Sequence, residues 1–355
     1  MLVHVFDDTP HHYNPMRCFF TEQCDIDIEQ HFWVRKPCKA TAKNTVFNKQ
    51  VRVYADNGEL ISKLKSLPQS AQVVFHGLFD VHIWRKLILL SMVKRCSCVI
   101  WGAELYRHGK PARSLKQYIA QLIHMGLVKR FRSVVALNPG DASLAGKYLK
   151  RKKVQVLPYP LIGYNPEENS QTARNENAPI RIMLGNSAAS SNEHEFALER
   201  IAHFAPENVE ILVPLNYAGK EEYIRKIISK GKSLFGDKFK AITNMLSKDE
   251  YDTLLAGVDV TIFAHQRQQG LYVAYAMLLM GKPMFLMAST SSFSNLSDLG
   301  FNVYSTESLC DIPFTEMCAM VLEKDENNTR LMSSNFTEQA LAPKWSALLN
   351  GLFAR

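Results

Sequence analysis

Short apolar runs alternate with amphipathic stretches along the chain. In the first half, segments with helical spacing, Gly58–Leu67, Val81–Val93 and Leu115–Val128, separate apolar runs of strand length. Strands separated by helices of this length pair in parallel through right-handed crossovers. The pattern therefore predicts a parallel sheet formed by Leu2–Phe6, Val51–Tyr54, Gln72–Phe75, Ser97–Trp101, Ser133–Leu137 and Val154–Leu157.

A polar segment rich in Pro and Asn, residues 161–179, interrupts the alternation. Such a composition is typical of a linker between domains. The alternation then resumes and predicts a second parallel sheet. Its strands are Ile180–Leu184, Val209–Val213, Phe239–Ile242, Val258–Phe263 and Met284–Met287, and its helices are Asn192–Ala205, Glu221–Ser229, Lys248–Ala256 and Gln269–Met280.

The length of 355 residues fits two domains of ~150–200 residues better than one core. We expect an N-terminal domain over residues 1–160 and a C-terminal domain over 180–335. We also expect a last helix over 336–355, which could pack back on the N-terminal domain. The predicted class is α/β, with two Rossmann-like, doubly wound domains that face each other across a cleft at the carboxyl ends of both sheets.

The formal net charge of +8 is unevenly distributed. Residues 1–160 hold 25 Lys and Arg against 11 Asp and Glu, whereas the remainder holds 17 against 23. A positive field over one half indicates an anionic partner. Nucleic acid is disfavoured, because no helix-turn-helix, RNP-like or aromatic stacking motif accompanies the charge. An anionic membrane surface, a lipid pyrophosphate or a merely basic solvated surface fits.

The cysteine pattern and the apolar segments narrow the class further. Seven cysteines without a CxxC pair indicate reduced thiols rather than a disulfide framework or a zinc site, and Cys96 and Cys98 alternate on one face of a strand. The apolar segment Leu271–Ala288 is broken by Gly281 and Pro283, which predicts a helix and a strand instead of a membrane span. The chain begins with a strand-like segment and not with a secretory signal.

Polar side chains follow two strands of the first predicted sheet. Asp8, His11 and His12 come after the first strand, and Glu104 comes after the fourth. Ligands of doubly wound sheets bind at these carboxyl ends, where Asp8 or Glu104 could act as a general base and the histidines could position an acceptor. The alternative is that these side chains only cap the following helices.

A strand–turn–helix junction in the second half is rich in small polar residues, among them Gly185, Asn186, Ser187 and Asn192. The free N–H groups and positive dipole end of a helix N-terminus suit a diphosphate, although the same residues also serve as ordinary caps. At a second junction, Arg267 could neutralise the charge of a leaving nucleotide diphosphate.

The tripeptide Asp25-Ile26-Asp27 matches a DxD metal motif. Three residues match by chance often, so we interpret this one as a surface turn. A helix dipole together with Arg267 makes a metal ion unnecessary for stabilising a leaving group. We expect no metal site and no cofactor.

Several of these stretches together resemble one bacterial family. The stretches are Asp8–His12, Phe75–Gly77 with Trp84, Ile100–Tyr106, Leu184–His194, Val213–Tyr217 and Arg267–Gly270. In this order they resemble the TDP-N-acetylfucosamine:lipid II N-acetylfucosaminyltransferases, which are the 4-α-L-fucosyltransferases of glycosyltransferase family 56 in enterobacterial common antigen synthesis. Glu104 stands where the family has aspartate, and His265-Gln266 also departs from the pattern.

The resemblance implies a GT-B-like fold, a dTDP-sugar donor and an undecaprenyl-pyrophosphate-linked saccharide acceptor. It also implies a peripheral protein on the cytoplasmic face of the bacterial inner membrane, whose N-terminal domain binds the acceptor. The donor-binding residues carried over by the resemblance are Gly185, Asn186, Ser187, Asn192, His194, Tyr217, Arg267, Gln268, Gln269 and Gly270.

The predicted function is therefore metal-independent transfer of an N-acetylfucosamine-like sugar. Two alternatives stay open, a nucleotide-sugar 2-epimerase of the same architecture and a non-catalytic nucleotide- or nucleic-acid-binding protein. The sequence also leaves open whether transfer inverts or retains the anomeric configuration, and a retaining enzyme needs no protein base.

Overall fold

The alternation of strands and helices forms two parallel sheets in the computed structural model. The structure describes residues 1–36, 51–109, 111–164, 177–266 and 269–354. The chain divides into two units, the first comprising Met1–Ile162 and Thr337–Arg355 and the second Gly163–Phe336. The proposed linker, residues 161–179, lies mostly outside the described residues.

The first unit contains a seven-stranded sheet in the order β3-β2-β1-β4-β5-β6-β7, with every pair parallel. Its strands are β1 (Leu2–Phe6), β2 (Gln30–Arg35), β3 (Val51–Tyr54), β4 (Gln72–His76), β5 (Cys96–Ile100), β6 (Ser133–Ala136) and β7 (Gln155–Val156). The pattern did not predict β2, because only Phe32, Trp33 and Val34 in its centre are buried and its ends are polar. Cys96 and Cys98 both point into the core from β5, as predicted.

The helices of the first unit are α1 (Pro10–Cys18), α2 (Asn57–Lys65), α3 (Val81–Leu87), α4 (Ala103–Tyr106), α5 (Leu115–Arg130) and α6 (Pro139–Leu149). Asp56, Asp80, Ser114 and Asn138 accept main-chain N–H groups at the starts of α2, α3, α5 and α6. The predicted helix Val81–Val93 is wrong in its length. It ends at Leu87, and the chain then turns towards β5.

The second unit contains a six-stranded parallel sheet in the order β10-β9-β8-β11-β12-β13. Its strands are β8 (Ile180–Leu184), β9 (Val209–Pro214), β10 (Phe239–Ile242), β11 (Val260–Phe263), β12 (Met284–Leu286) and β13 (Tyr304–Ser305). Its helices are α7 (His194–Arg200), α8 (Glu221–Phe235), α9 (Lys248–Ala256), α10 (Leu271–Leu279), α11 (Ser291–Asp298), α12 (Phe314–Leu322) and α13 (Glu326–Asn335). Within the described ranges, none of the helices has the length and apolarity that a bilayer crossing requires.

The last helix, α14 (Glu338–Gly351), belongs to the first unit. Its Trp345 is fully buried, donates to the carbonyl of Pro158 at 3.0 Å and stacks on Tyr159. Its Ser346 hydroxyl accepts from the main-chain N–H of Asp25 at 2.9 Å. The DxD tripeptide therefore lies in a loop beside α14, with both carboxylate residues exposed.

A chain of buried and half-buried hydrogen bonds joins the strands of the first unit. Gln30 bonds His4 at 3.1 Å, His4 bonds His76 at 2.9 Å, His76 bonds the Tyr159 hydroxyl at 2.7 Å, and the Trp101 indole donates to that hydroxyl at 3.1 Å. Burial lowers the pKa of His4 to about 3 and that of His76 well below its usual value, so both rings are neutral at pH 7.

One proton arrangement satisfies this whole chain. The amide oxygen of Gln30 accepts from His4 Nε2, because the Gln30 amide nitrogen donates to the carbonyl of Phe20. His4 Nδ1 is then an acceptor for His76 Nε2, and His76 Nδ1 is an acceptor for the Tyr159 hydroxyl. Each buried group has a partner, which fixes the ends of β4 and β5 relative to β1.

Replacing Tyr159 by Phe should destabilise the first unit by roughly 2–4 kcal/mol. The change removes one hydroxyl but leaves two buried groups, the Trp101 indole N–H and His76 Nδ1, without that partner. Urea unfolding followed by tryptophan fluorescence measures the loss. Tyr118→Phe is the matched control, because the Tyr118 side chain is 53% exposed, and its stability should change by less than about 0.5 kcal/mol. Equal stability of the Tyr159→Phe and Tyr118→Phe variants would contradict the stabilising role given to this chain of hydrogen bonds.

Candidate functional site

The strand order reverses once in each sheet, between β1 and β4 in the first unit and between β8 and β11 in the second. At such a point the chain leaves one strand in one direction along the sheet and the neighbouring strand in the other. The crevice that opens at the carboxyl ends of the two strands is the usual ligand site of doubly wound sheets. The side chains that follow β1, β4, β8 and β11 are therefore the ones to inspect.

In the second unit, the buried amide of Asn192 joins the two loops at this point. Its oxygen accepts from the main-chain N–H of Asn186 at 2.9 Å and bonds His265 Nε2 at 2.8 Å. Its nitrogen donates to the Ser187 hydroxyl at 3.2 Å and to the Ala189 carbonyl at 3.0 Å. Because both polar atoms are fully used, Asn192 holds the loop after β8 against the loop after β11.

Gly185 begins the loop after β8 in the left-handed region, with φ +67°. A Cβ atom at this position would lie 2.6 Å from the Asn192 amide oxygen and 2.8 Å from His194 Nε2, so the site admits only glycine without a shift. His194 Nδ1 bonds the Tyr223 hydroxyl at 3.0 Å, and burial lowers the pKa of this histidine to about 4. The ring is neutral at pH 7, and its Nε2 has no hydrogen-bond partner among the described residues.

The loop after β11 is tied to the loop after β8 by a further contact, in which the Ser191 hydroxyl donates to the Gln269 amide oxygen at 2.9 Å. On the other side of β8, the Asn186 amide donates at 3.0 Å to the hydroxyl of Tyr217, which lies in the loop after β9. Gly270 has φ +68°, and a Cβ there would lie 2.8 Å from the Phe263 ring. Of the ten predicted donor-binding residues, eight therefore gather at one strand-order reversal, while Arg267 and Gln268 lie outside the described residues.

Three buried polar atoms of this cluster lack a hydrogen-bond partner among the described residues: Asn186 Oδ1, His194 Nε2 and Gln269 Nε2. Buried polar groups in proteins are normally paired, so these three atoms at the strand-order reversal are candidate contacts for a ligand. We refer to Gly185, Asn186, Ser187, Asn192, His194, Gln269 and Gly270 as the polar cradle.

A groove beside the polar cradle brings in two residues that the sequence did not single out. It runs between the loop after β11 and the start of α11, and its lining includes Phe263, His265, Gln269, Thr290 and Ser292. Thr290 caps α11, and the buried Ser292 hydroxyl has no partner within the described part of the chain. The sequence could have indicated them, because Thr290 and Ser292 follow shortly after the end of β12 at Leu286.

In the first unit, Asp7 and Asp8 follow β1. Asp7 accepts from the main-chain N–H of Asp8 at 2.9 Å and lies 3.4 Å from the guanidinium of Arg35, which also lies 3.6 Å from Asp80. Asp8 is half-buried. His11 and His12 both fall within α1, and their side chains lie outside the described part of the structure. Sequence reasoning missed Arg35, because it missed the strand β2 that ends there.

Glu104 is fully buried in α4 and accepts from the main-chain N–H of Trp101 at 3.0 Å. Burial raises the pKa of its carboxyl to about 7, against the lowering effect of nearby main-chain N–H groups, and the Asp141 carboxylate raises it further. Glu104 thus stabilises the turn after β5. It is not beside Asp8 in the sheet order, since β4 separates β5 from β1.

A family model for the 4-α-L-fucosyltransferases of glycosyl transferase group 56 matches residues 1–349. The chain belongs to this family. The predicted relationship is thereby confirmed, and the protein is a glycosyltransferase of the fucosyltransferase type. As a group 56 enzyme it takes a sugar donor and an acceptor.

Solved structures of other glycosyltransferases share the fold of this group 56 enzyme. The HepE protein of Anabaena, solved in complex with UDP, matches with a TM-score of 0.71 at 10% identity over 99% of this chain and 100% of that one. A glycosyltransferase from Rickettsia africae gives 0.67 at 11% identity, with 100% and 98% covered. The sucrose-phosphate synthase of Thermosynechococcus elongatus gives 0.71 at 10% identity, with 100% of both chains covered. The predicted GT-B-like class of two Rossmann-like domains is confirmed.

The raised pKa of Glu104 predicts a pH-dependent stability difference. Its folded-state pKa of about 7 lies above the usual value of 4.5, so the protonated carboxyl stabilises the fold fully below about pH 4.5, and this contribution is lost as the pH rises through about 7. Glu104→Gln cannot lose it. Between pH 4.5 and 8 the free energy of unfolding of the wild type should therefore fall relative to Glu104→Gln by roughly 3 kcal/mol.

Denaturant unfolding of both proteins at pH 5, 6, 7 and 8 measures this difference. Other titrating groups are common to the two proteins and cancel in the comparison. Parallel pH profiles for the wild type and Glu104→Gln would mean that the carboxyl is ionised normally in the folded protein.

Proposed function

We propose that this group 56 glycosyltransferase moves an N-acetylfucosamine-like deoxy-amino sugar from a dTDP-sugar to a saccharide linked to undecaprenyl pyrophosphate. It would act as a peripheral protein on the cytoplasmic face of the bacterial inner membrane. The observation that carries the proposal is the polar cradle at the strand-order reversal of a domain whose family transfers fucosyl groups. The resemblance of its motifs supplies the particular donor and acceptor.

The polar cradle is the proposed donor site. Its unpaired atoms include one amide nitrogen, on Gln269, and one imidazole nitrogen, on His194. In the tautomer in which Tyr223 donates its hydroxyl proton to Nδ1 of the neutral ring, the ring proton is on Nε2, which then is a donor. Donors beside a glycine with positive φ suit the oxygens of a diphosphate, and the exposed Tyr217 ring offers a surface for the rest of the nucleotide.

Transfer in this proposal needs no metal ion. Arg267 and the amide and imidazole donors of the polar cradle would stabilise the charge that develops on the departing dTDP. The DxD residues Asp25 and Asp27 belong to the first unit, in the loop beside α14.

The first unit supplies the acceptor side of the proposal. Asp8 follows β1 at the strand-order reversal and would deprotonate the acceptor hydroxyl in an inverting transfer, with His11 and His12 positioning the acceptor. Glu104, the other candidate base, is fully buried and bonded to its own loop, which favours a positioning role. Asp8 is therefore the better candidate.

The deciding experiment is a transfer assay with a dTDP-linked deoxy-amino sugar and a polyprenyl-pyrophosphate saccharide in EDTA. We expect product only when both substrates are present, with turnover unaffected by the chelator. Loss of activity in EDTA with rescue by Mn²⁺ or Mg²⁺ would disprove the metal-independent mechanism. Conversion of the donor without any acceptor would instead identify a nucleotide-sugar epimerase.

In the same assay, Asp8→Asn should keep dTDP affinity and lower kcat by about 10²–10⁴, because only proton abstraction is lost. Full activity of this variant would mean that the base lies elsewhere or that configuration is retained.

Asn186→Ala and Arg267→Ala should each weaken dTDP binding about ten- to a hundredfold, because each removes a polar contact worth roughly 1.5–3 kcal/mol. Titration calorimetry with dTDP measures the effect. Arg225→Ala, which changes an exposed arginine of α8 paired with Glu221, is the matched control and should bind dTDP like the wild type. Unchanged affinity in both test variants would place the nucleotide away from the polar cradle.

A further inference from the structure

The outer face of α5 carries an uninterrupted apolar stripe in contact with solvent. Leu115 is 75% exposed, Tyr118 53%, and Ile119 and Leu122 44% each. Their spacing of i, i+3, i+4 and i+7 places them on one side of the helix. Large side chains exposed singly are normal, but a contiguous exposed stripe marks an interaction surface.

The stripe is not the side by which α5 packs on its own unit. That side is formed by Ala120, His124, Leu127 and Val128, which are all buried, and the His124 ring stacks on Trp84 at 3.9 Å between ring centroids. Since these buried residues already form the contact of α5 with the core, the stripe is additional apolar surface on the opposite face of the helix.

The stripe continues onto the turn after α3. Leu89 in this turn is 83% exposed. The neighbouring Ile88 lies against Gly126 of α5, where an added Cβ would be 3.2 Å from Ile88 Cδ1. The Arg130 guanidinium of α5 donates to the carbonyls of Ile88 and Leu90 and so fixes the turn beside the helix. We call Leu89, Leu115, Tyr118, Ile119 and Leu122 the apolar ridge.

The charged side chains that are exposed in the segment bearing the apolar ridge are all positive within the described residues. Residues 81–160 hold 16 Lys and Arg but only two acidic residues, Glu104 and Asp141. Both of these are fully buried. Arg113 and Lys116, beside the first turn of α5, are exposed.

We propose that the apolar ridge is the surface by which this protein enters an anionic lipid bilayer. Aliphatic and tyrosyl side chains bury in the headgroup and acyl boundary while surrounding cations attract acidic lipids, and both components are present here. A second copy of the chain is a poor occupant, because a symmetric interface would bring two positive segments together. Nucleic acid matches the charge but offers no hydrocarbon to the leucines.

Helix α3 takes no part in the apolar ridge, because its residues Ile83, Trp84 and Leu87 are buried in the core. The ridge would bring the first unit to a lipid-linked acceptor, and in this respect it rests on the proposed function. The lipid contact itself depends only on the exposed residues and their charges.

Vesicle sedimentation tests the ridge. The full chain is mixed with vesicles of phosphatidylglycerol and phosphatidylethanolamine, and the bound fraction is compared with that of a Leu115→Gln, Leu122→Gln double variant. We expect at least a tenfold lower partition coefficient for the variant, because two apolar side chains no longer favour insertion. The matched control is Leu299→Gln with Leu322→Gln, which changes two leucines of the second unit that are 41% and 67% exposed and should bind vesicles like the wild type.

A second pair of variants separates charge from insertion. Arg113→Gln with Lys116→Gln should weaken binding to the anionic vesicles by about fivefold per charge and leave the weak binding to phosphatidylcholine vesicles unchanged. Undiminished sedimentation of the Leu115→Gln, Leu122→Gln variant with anionic vesicles would overturn the proposal. Equal losses of vesicle binding in the two leucine double variants would overturn it too. So would preferential binding of the wild type to DNA over vesicles, if the Leu115→Gln, Leu122→Gln variant lost that DNA binding in parallel.

Two further readouts keep this test distinct from that of the proposed function. The ridge variant should retain the wild-type Tm and dTDP affinity, and it should lose transfer to a vesicle-borne acceptor while keeping transfer to a soluble short-chain one. If vesicle binding depends on the ridge but no sugar is transferred, the proposed function fails and the ridge stands. If transfer proceeds and the ridge variant still binds vesicles, the reverse holds.

Discussion

Parallel strand pairing is the constraint on which both units of this protein depend. It brings the carboxyl ends of all strands in a sheet to one edge, and it forces the connections to run over the faces as helices. Because each sheet is also extended in both directions from its first strand, one crevice opens between β1 and β4 and one between β8 and β11. The residues that were picked from the sequence for their chemistry stand largely at these two positions.

Two side-chain amides, of the half-buried Gln30 and the buried Asn192, fix the positions of neighbouring strands and loops. Gln30 anchors one end of the hydrogen-bonded chain that runs through His4, His76 and Tyr159, and Asn192 joins the loops after β8 and β11. In the first of these networks the neutral state of His4 and His76 is a consequence of burial, which lowers the pKa of both rings, and neutrality lets each ring donate at one nitrogen and accept at the other. The buried polar networks are therefore specific, since a different proton arrangement would leave buried groups unpaired.

The departures from the sequence-based interpretation have physical reasons. The strand Gln30–Arg35 was missed because its apolar centre is only three residues long, and its pairing with β1 on one side and β3 on the other stabilises it instead. The helix that begins at Val81 was extended too far, because the apolar residues Ile88 to Leu90 continue its pattern. In the fold they lie in a turn whose carbonyls are bound by Arg130, 40 or more residues away in sequence.

The sequence by itself determined the two parallel sheets, the family and the loops in which polar residues gather, because periodicity and strand-end motifs are local properties. It could not separate caps from ligand-binding groups. That distinction depends on partners that are distant in sequence. His265, 73 residues from Asn192, bonds the side-chain amide of Asn192, which the sequence alone would assign to a helix cap. Only the tertiary structure decided that Glu104 is buried, that Asp8 lies at the strand-order reversal, and which face of α5 meets the core. Apolar spacing shows which residues share a side of a helix, but burial depends on what the rest of the chain places against that side.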